Sequence, residues 1–388
     1  MEPLKNINLP LLSDRPLTQS ERRILDLLFR AGPATQARIA ETTDLTQQSI
    51  SRIIGGLVDD GLVRTGDKVQ SGRRGYPSAS LELVPEFAFS FGVSIMTDAV
   101  AITLVDFTGT IRGECRQGFL SLSIGRATDW LAGAMAELLP LAGGRPLAGI
   151  GIGVPGSFVG EGAGFNTPHS LEEWANIDVA GLFRERFGLP AFADNDGNVA
   201  ALGESLVGVG RWARSFAYLY IASGVGGGVI LDGEVWRGRH GNAGEFAGGL
   251  PANSHPFPNL ELLRQLVARQ GLPFETVDQL VEGFDPSWPS IDDWVARVRD
   301  SLSIIASNAT AILDLDAVVL GGRMPRPLAE RVIPAIELYD QKRRSQKRPT
   351  ARIVPAEAPG NAAAIGAAIL PLKQRFFKAQ VDTGGMSF

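Results

Sequence analysis

The sequence predicts an α/β protein, with a small helical head that ends in a β-hairpin and a larger body behind it. Three observations predict it. Residues 18–58 hold three short helical segments, two of them opening on a threonine cap and the third carrying a clear apolar stripe. Residues 62–84 alternate as two strand-like runs around a polar loop. From about residue 86, apolar runs of strand length alternate with helical stretches, the pattern that lays helices on the faces of a sheet.

In the head, LTQSERRILDLLFRAG sets Thr18 three places before Glu21, the capping-box spacing that satisfies two orphan backbone donors at a helix start. Ile24, Leu25, Leu27 and Leu28 then share one face. Pro33 breaks the chain and Thr35 caps a second short helix, TQARIAETTD. In LTQQSISRIIGGLVDDGLV, Ile50, Ile53, Ile54, Leu57 and Val58 recur at helical spacing. The other face shows Thr46, Gln47, Gln48, Ser49, Ser51 and Arg52, short or amide-bearing groups suited to reading base edges in a major groove. The hairpin LVRTGDKVQSGRRGYPSASLELV has a basic tip, with Lys68, Arg73 and Arg74 placed to meet phosphates or enter a minor groove. A plain helical cap with a solvated face accounts for each feature singly. Taken together, two short helices with a tight turn, a third with a polar outer face and a basic hairpin tip point to DNA.

In the body, FAFSFGVSIMTDAVAITLVDFTGTIRGE reads as three consecutive strands turning near Thr97-Asp98 and Thr108-Gly109. ATDWLAGAMAELLPLA is a helix, and LAGIGIGVPG a buried strand ending in a Pro-Gly turn at Gly156. VAGLFRERFGLPAFADND is a helix feeding a strand, SFAYLYIASGVGGGVILDGEVWRG a hairpin, and IDDWVARVRDSLSIIASNATAILDLDAVVLGG a long helix leading into another strand. NAAAIGAAILPL closes the body as a helix of small residues, able to pack closely, and the end QVDTGGMSF reads as a frayed tail. The expected units are 1–85, 86–193 completed by a C-terminal helix at about 361–378, and 194–360.

The bulk numbers narrow the function classes. The chain has 388 residues, 44% hydrophobic and 20% charged, with a net charge of −5, an ordinary composition that fits two or three domains. Charge divides mildly, 11 Lys/Arg against 10 Asp/Glu through residue 84 and 26 against 32 beyond it, which by itself indicates no nucleic acid. No apolar stretch approaches the roughly 20 residues of a membrane-spanning helix, and the N-terminus lacks a signal-peptide layout. Cys115 stands alone, so no internal disulfide forms; it reads as a small buried apolar residue, and a reducing cytoplasm fits. With His169, His240 and His255 as the only histidines, ligands are too few for a closed Cys/His zinc site.

The motifs carry a resemblance. The head resembles the winged helix-turn-helix of sugar-responsive repressors, although GRRGYP stands where that wing ends in Gly-Arg-Pro. From about Phe87 to Leu372 the body resembles the ROK family of repressors, open reading frames and sugar kinases, through GIGVPG, FADNDGNVAALGE, SGVGGGVILDGEVWRGRHGNAGE, AVVLGG and NAAAIGAA in family order. The resemblance implies a two-lobed actin-like, ribonuclease-H-like fold. It implies that Asp196 matches the base that deprotonates the accepting hydroxyl in the kinases, beside a sugar-contacting Asn195. A carboxylate within reach of the attacking oxygen is what that chemistry needs; read without the motif, the pair is an Asx turn at a strand end. Glu245 and Glu261 match family glutamates that hold sugar hydroxyls, since one carboxylate accepts from two neighbours. Gly156 offers a backbone amide, His169 falls near a sugar-contacting asparagine, and Trp174 packs by the site or fills the core.

The departures matter as much. Ala247-Gly248 replaces the family's Gly-His, and residues 251–260, PANSHPFPNL, lack the cysteines of the zinc loop, so no metal is expected. Where kinases carry Asp-x-Gly-Gly-Thr to cradle phosphate, this chain reads SIMTDA, without either glycine and with Asp98 set against a nucleotide's charge. The second glycine loop, Ser223 to Gly228, survives and reads either as a phosphate cradle or as a turn shaped for backbone geometry. The expectation is a cytoplasmic, sugar-responsive DNA-binding regulator, most simply a repressor and not an enzyme. Its partners are operator DNA and a sugar or sugar derivative, with no cofactor, and it assembles as a homodimer or homotetramer. The alternative is an ATP-dependent sugar kinase with an attached DNA-binding head.

Overall fold

The computed structural model describes residues 12, 16–43, 45–69, 78–159, 164–251, 253–339 and 349–377. The head begins with α1 (Gln19–Ala31), β1 (Ala34–Thr35), α2 (Gln36–Thr42) and α3 (Gln47–Asp59). β2 (Val63–Val69) and β3 (Ser78–Leu83) then complete a three-stranded antiparallel sheet in the order β1-β3-β2. The capping box forms as the spacing requires, with the Glu21 amide donating to Thr18 Oγ1 at 3.3 Å and the Thr18 amide donating to Glu21 Oε2 at 2.7 Å. Thr35 and Thr46 cap α2 and α3 in the same manner. Ile50, Ile54 and Leu57 are buried, but Val58 is exposed, because the stripe rotates off the core side in the last turn.

Two five-stranded sheets build the body. The small lobe contains β4 (Phe89–Ile95), β5 (Ala99–Asp106), β6 (Ile111–Gly118), α4 (Ile124–Leu138), β7 (Leu147–Val154), a ribbon of β8 (Ser157–Phe158) and β9 (Phe165–Asn166), α5 (Val179–Phe187) and β10 (Ala191–Asn195). Its sheet runs β10-β7-β4-β5-β6, with β10, β7 and β4 parallel and the β4-β5-β6 meander antiparallel. The second lobe follows with α6 (Asp196–Val207), β11 (Phe216–Ile221), β12 (Val225–Leu231), β13 (Glu234–Val235), α7 (Leu260–Arg269) and α8 (Val277–Glu282). It continues through α9 (Ser290–Leu313), β14 (Ala317–Gly322), α10 (Arg326–Val332) and β15 (Arg352–Pro355), and the chain returns in α11 (Ala362–Phe376). The second sheet runs β13-β12-β11-β14-β15. β4, β5 and β7 are buried along their whole length, which is why they read as continuous apolar runs rather than as alternation.

α6 lies on β12 of the second sheet and α11 on β4 and β7 of the first, so the contact between these helices is where the lobes meet. Small residues bring the backbones together. A Cβ on Gly203 would lie 2.1 Å from the Ala362 carbonyl oxygen, and one on Gly366 1.8 Å from that of Val199. Trp174 is fully buried and fills the small-lobe core rather than lining a site. Cys115, expected to be buried, is only half-buried on edge strand β6, where partial burial raises its thiol pKa. Among the described residues no helix is long and apolar enough to cross a membrane.

Candidate functional site

β10 ends at Asn195 because the next residue starts α6, and this junction aims the Asn-Asp pair between the lobes. Asn195 caps the helix: its Oδ1 accepts from the Asn198 amide at 3.1 Å, while its Nδ2 donates to the Gly156 carbonyl at 2.8 Å. The Asx-cap and ligand readings are compatible, since capping takes one lone pair of Asn195 Oδ1 and one Nδ2 hydrogen and leaves the second of each, with the Asp196 carboxylate, to a ligand. Gly156 sits at φ 122°, and a Cβ there would meet the Asn166 carbonyl oxygen at 2.3 Å, so only glycine closes this turn. Its carbonyl accepts from Asn195 Nδ2; the amide expected to face a sugar is a separate group of the same residue.

Asp196 is only 7% exposed. Burial pushes its carboxyl up to about 7, the Gly197 amide at 2.8 Å opposes this, and the Glu245 charge adds to it. Glu245 is exposed as a residue, yet desolvation of its carboxyl raises its pKa too. Next door, Asp194 is a different carboxylate. Arg237 donates to its Oδ2 from Nε at 3.0 Å, and the Asn195 amide and Asn198 Nδ2 donate to Oδ1 at 2.8 and 3.1 Å. Sequence reading missed Asp194 and Arg237, which tie the loop after β13 to the end of β10. Asn242 does the same a few residues on, exchanging hydrogen bonds with the Phe158 backbone at 2.7 and 3.1 Å.

Two expected sugar ligands stand apart. Both carboxylate oxygens of Glu261 are held by Arg264, with Gln265 sharing one, and this pairing lowers its pKa. The reason is local: Glu261 and Arg264 share a face of α7 at i, i+3. His169 projects from the surface with its side chain 95% exposed, 3.8 Å from Glu172.

Paired charges join the two lobes beside this junction. Asp98, expected to confront a nucleotide, instead pairs with Arg323 and accepts from the Asp278 amide at 2.8 Å. Arg323 also holds Asp278, which takes Arg116 as well. Thr97 and Ser223 hydroxyls, one from each lobe, meet at 2.8 Å. The glycine loop is partly explained by packing. Gly227 and Gly228 lie within β12 where α6 begins, and a Cβ on Gly197 would lie 2.3 Å from the Gly227 carbonyl oxygen. Gly224 faces open space.

On the head, Thr46, Gln47, Gln48, Ser51 and Arg52 are exposed. Thr46 and Ser49 share a hydroxyl–hydroxyl bond of 3.0 Å at the helix cap, leaving Ser49 half-buried. Gln36, which the sequence reading passed over, joins Gln47, Gln48 and Ser51 around one surface hollow between α2 and α3. Arg73 and Arg74 lie outside the described residues, as does the Lys68 side chain.

Comparison with known proteins places this architecture. Residues 90–256 match the ROK family and residues 15–74 the MarR family. The uncharacterized protein y4fQ of Sinorhizobium fredii is 27% identical over 379 residues, 96% of this chain and 95% of its own. The xylose repressor of Bacillus spizizenii is 28% identical over 231 residues, so the alignment spans 58% of this chain and 59% of the repressor. A solved ROK family transcriptional regulator, a homologue of the E. coli MLC protein, superposes with a TM-score of 0.67 at 20% identity, covering 92% of this chain and 96% of its own.

Proposed function

Starting from a ROK-family chain headed by a MarR-type winged helix, we propose that this protein is a cytoplasmic, sugar-responsive regulator of transcription, acting as a repressor on operator DNA. The observation that carries the reading is one chain that joins an exposed polar α3 face to a buried Asn195-Asp196 pair at the junction of the two lobes. α3 enters the major groove, with Gln36, Gln47, Gln48, Ser51 and Arg52 toward bases or phosphates. Asn195, Asp196, Glu245 and Gly156 hold the sugar. Glu261 would have to exchange Arg264 for a hydroxyl and His169 would have to fold in from solvent, so the proposal rests on the other four. In a dimer, a ligand that changes the lobe angle changes the spacing of the two heads, and half-sites about one helical turn apart do not tolerate that. The units proposed are residues 1–85, 86–193 with the C-terminal helix at about 361–378, and 194–360.

The kinase reading has one observation in its favour: a carboxyl poised at about 7 is well placed for a general base. Against it, the Arg323 cation is already held by Asp98 and Asp278, and phosphoryl transfer is mostly positioning and charge. The test uses double-stranded DNA selected from a random pool by the protein itself. Its affinity is measured with and without D-xylose, D-glucose and D-glucosamine, beside a coupled assay for sugar-dependent ATP turnover. Release of DNA by a sugar supports the regulator. Turnover that vanishes in Asp196→Asn replaces it with the kinase.

A further inference from the structure

The head is not tethered to the body by a linker alone. Its core continues into the body's: Ile24, Leu25 and Leu28 of α1 belong to the same buried cluster as Phe107, Val199, Phe376 and Phe377. α1 makes two separate sets of polar and aromatic contacts, and each follows a different lobe.

The first set follows α11, which is seated on the small-lobe sheet. Phe29 stacks on Phe377 with centroids 4.5 Å apart, and Arg22 donates to the Gln374 and Phe377 carbonyls at 3.1 and 3.2 Å. The second set follows the β12–β13 turn of the other lobe. Arg30 donates to the Gly233 carbonyl at 2.6 Å and forms an ion pair with Glu234. Glu234 closes the circuit, because its other oxygen accepts from Lys373 of α11 at 3.0 Å. One carboxylate thus touches the head and both halves of the body.

The sugar-site residues stand at the far end of the same frame. Asp196 opens α6, α6 touches α11 backbone to backbone at Gly203 and Gly366, and α11 ends against α1. The close α6–α11 crossing is the pivot between the lobes, since each helix is seated on a different sheet. A change of lobe angle about it displaces the β12–β13 turn relative to the end of α11, and α1 cannot keep both sets of contacts.

We propose that Glu234, bridging Arg30 of the head and Lys373 of α11, is the positioning residue through which occupancy of the sugar site changes the pose of the DNA-binding head. The proposal rests on the sensor reading above. Coupling of this kind is a differential contact made in one arrangement and lost in the other.

The experiment compares the full-length wild type with Glu234→Gln and Lys373→Met. Affinity for the selected DNA is measured with and without each of D-xylose, D-glucose and D-glucosamine, and sugar binding is measured separately by calorimetry. For the wild type, the sugar that binds should change DNA affinity by about fivefold or more. In Glu234→Gln, DNA affinity without sugar and sugar affinity should both stay within about twofold of wild type, while the sugar's effect on DNA collapses toward none. A purely structural role would instead lower all three together, or none. A variant that responds as the wild type does overturns the coupling and leaves the sensor standing. A wild type that binds sugar and ignores it on DNA overturns the sensor reading and the coupling with it. Hydrogen exchange on the wild type keeps the test open if variants misfold: sugar should alter protection at residues 19–31 and 231–236, and unchanged protection at both overturns the proposal.

Discussion

Replacing Asp196 with asparagine should stabilise the protein, although the residue belongs to the candidate site. The carboxyl is 7% exposed and pushed from 3.8 to about 7 by burial. A raised folded-state pKa means that the folded chain holds the proton more tightly than the unfolded chain does. The stability this provides is complete below 3.8 and is lost as pH rises through about 7. A shift of about three units is worth about 4 kcal/mol at about 1.4 kcal/mol per unit, so by pH 8 the ionised wild type carries a penalty of that order. Asparagine is isosteric, keeps an Oδ1 to accept from the Gly197 amide, and has no charge to bury. The assay is urea unfolding of wild type and Asp196→Asn at pH 4.5 and pH 8, followed by the fluorescence of the buried Trp174 and Trp294. Taking the difference between the proteins cancels the titration of every group not coupled to Asp196, leaving only the smaller contribution of Glu245. The variant should be more stable by several kcal/mol at pH 8 and by little at pH 4.5, and it should lose sugar binding. A variant no more stable than wild type at pH 8 would refute the claim that this carboxylate is buried without compensation.

Three further outcomes follow from the same geometry. Asp98→Asn removes one partner of the Arg323 cluster that joins the lobes, and breaking a buried pair on one side should lower unfolding free energy by about 3 kcal/mol or more; denaturant titration at pH 7 checks it. Arg52→Ala and Gln48→Ala, on the exposed face of α3, should weaken selected DNA by about 1–3 kcal/mol each and leave sugar affinity alone, as read by fluorescence anisotropy and calorimetry. Glu261→Gln should change sugar affinity by less than about twofold because its carboxylate serves Arg264, whereas Asn195→Ala, which removes a cap as well as an amide, should abolish binding and cost about 1 kcal/mol of stability.

Most of the architecture was legible in local signals. Thr18 with Glu21, the alternation at 63–69 and 78–83 and the apolar runs at 89–95 and 147–154 are decided by neighbours in sequence, and the structure forms each one. The site was legible only where its residues are consecutive. Asn195 and Asp196 announce themselves side by side at a strand end. Arg237 does not, since its meaning comes from Asp194, 43 positions away. Arg323 and Asp98 are 225 positions apart, and only the fold shows that they neutralise each other. Glu261 shows the opposite limit: an arginine on its own helix pairs with it, a contact that helical spacing allows but does not compel. Val58 shows a similar limit, since a stripe of five apolar residues is wider at its end than the core it meets.

The shared core of α1 and the end of α11 bears on how such chains can be recombined. Cutting the molecule at about residue 85 would separate Phe29 of the head from Phe377, on which it stacks, and Arg22 from the Gln374 and Phe377 carbonyls. The head is therefore not a cassette. A chimera that grafts a foreign winged helix onto this body should fold only if the last turn of the C-terminal helix is exchanged with it, and a head expressed alone should gain solubility when the sequence QRFF is appended. For the same reason a change at Arg22 should be compensated most directly at Gln374 or Phe377, 352 and 355 positions later.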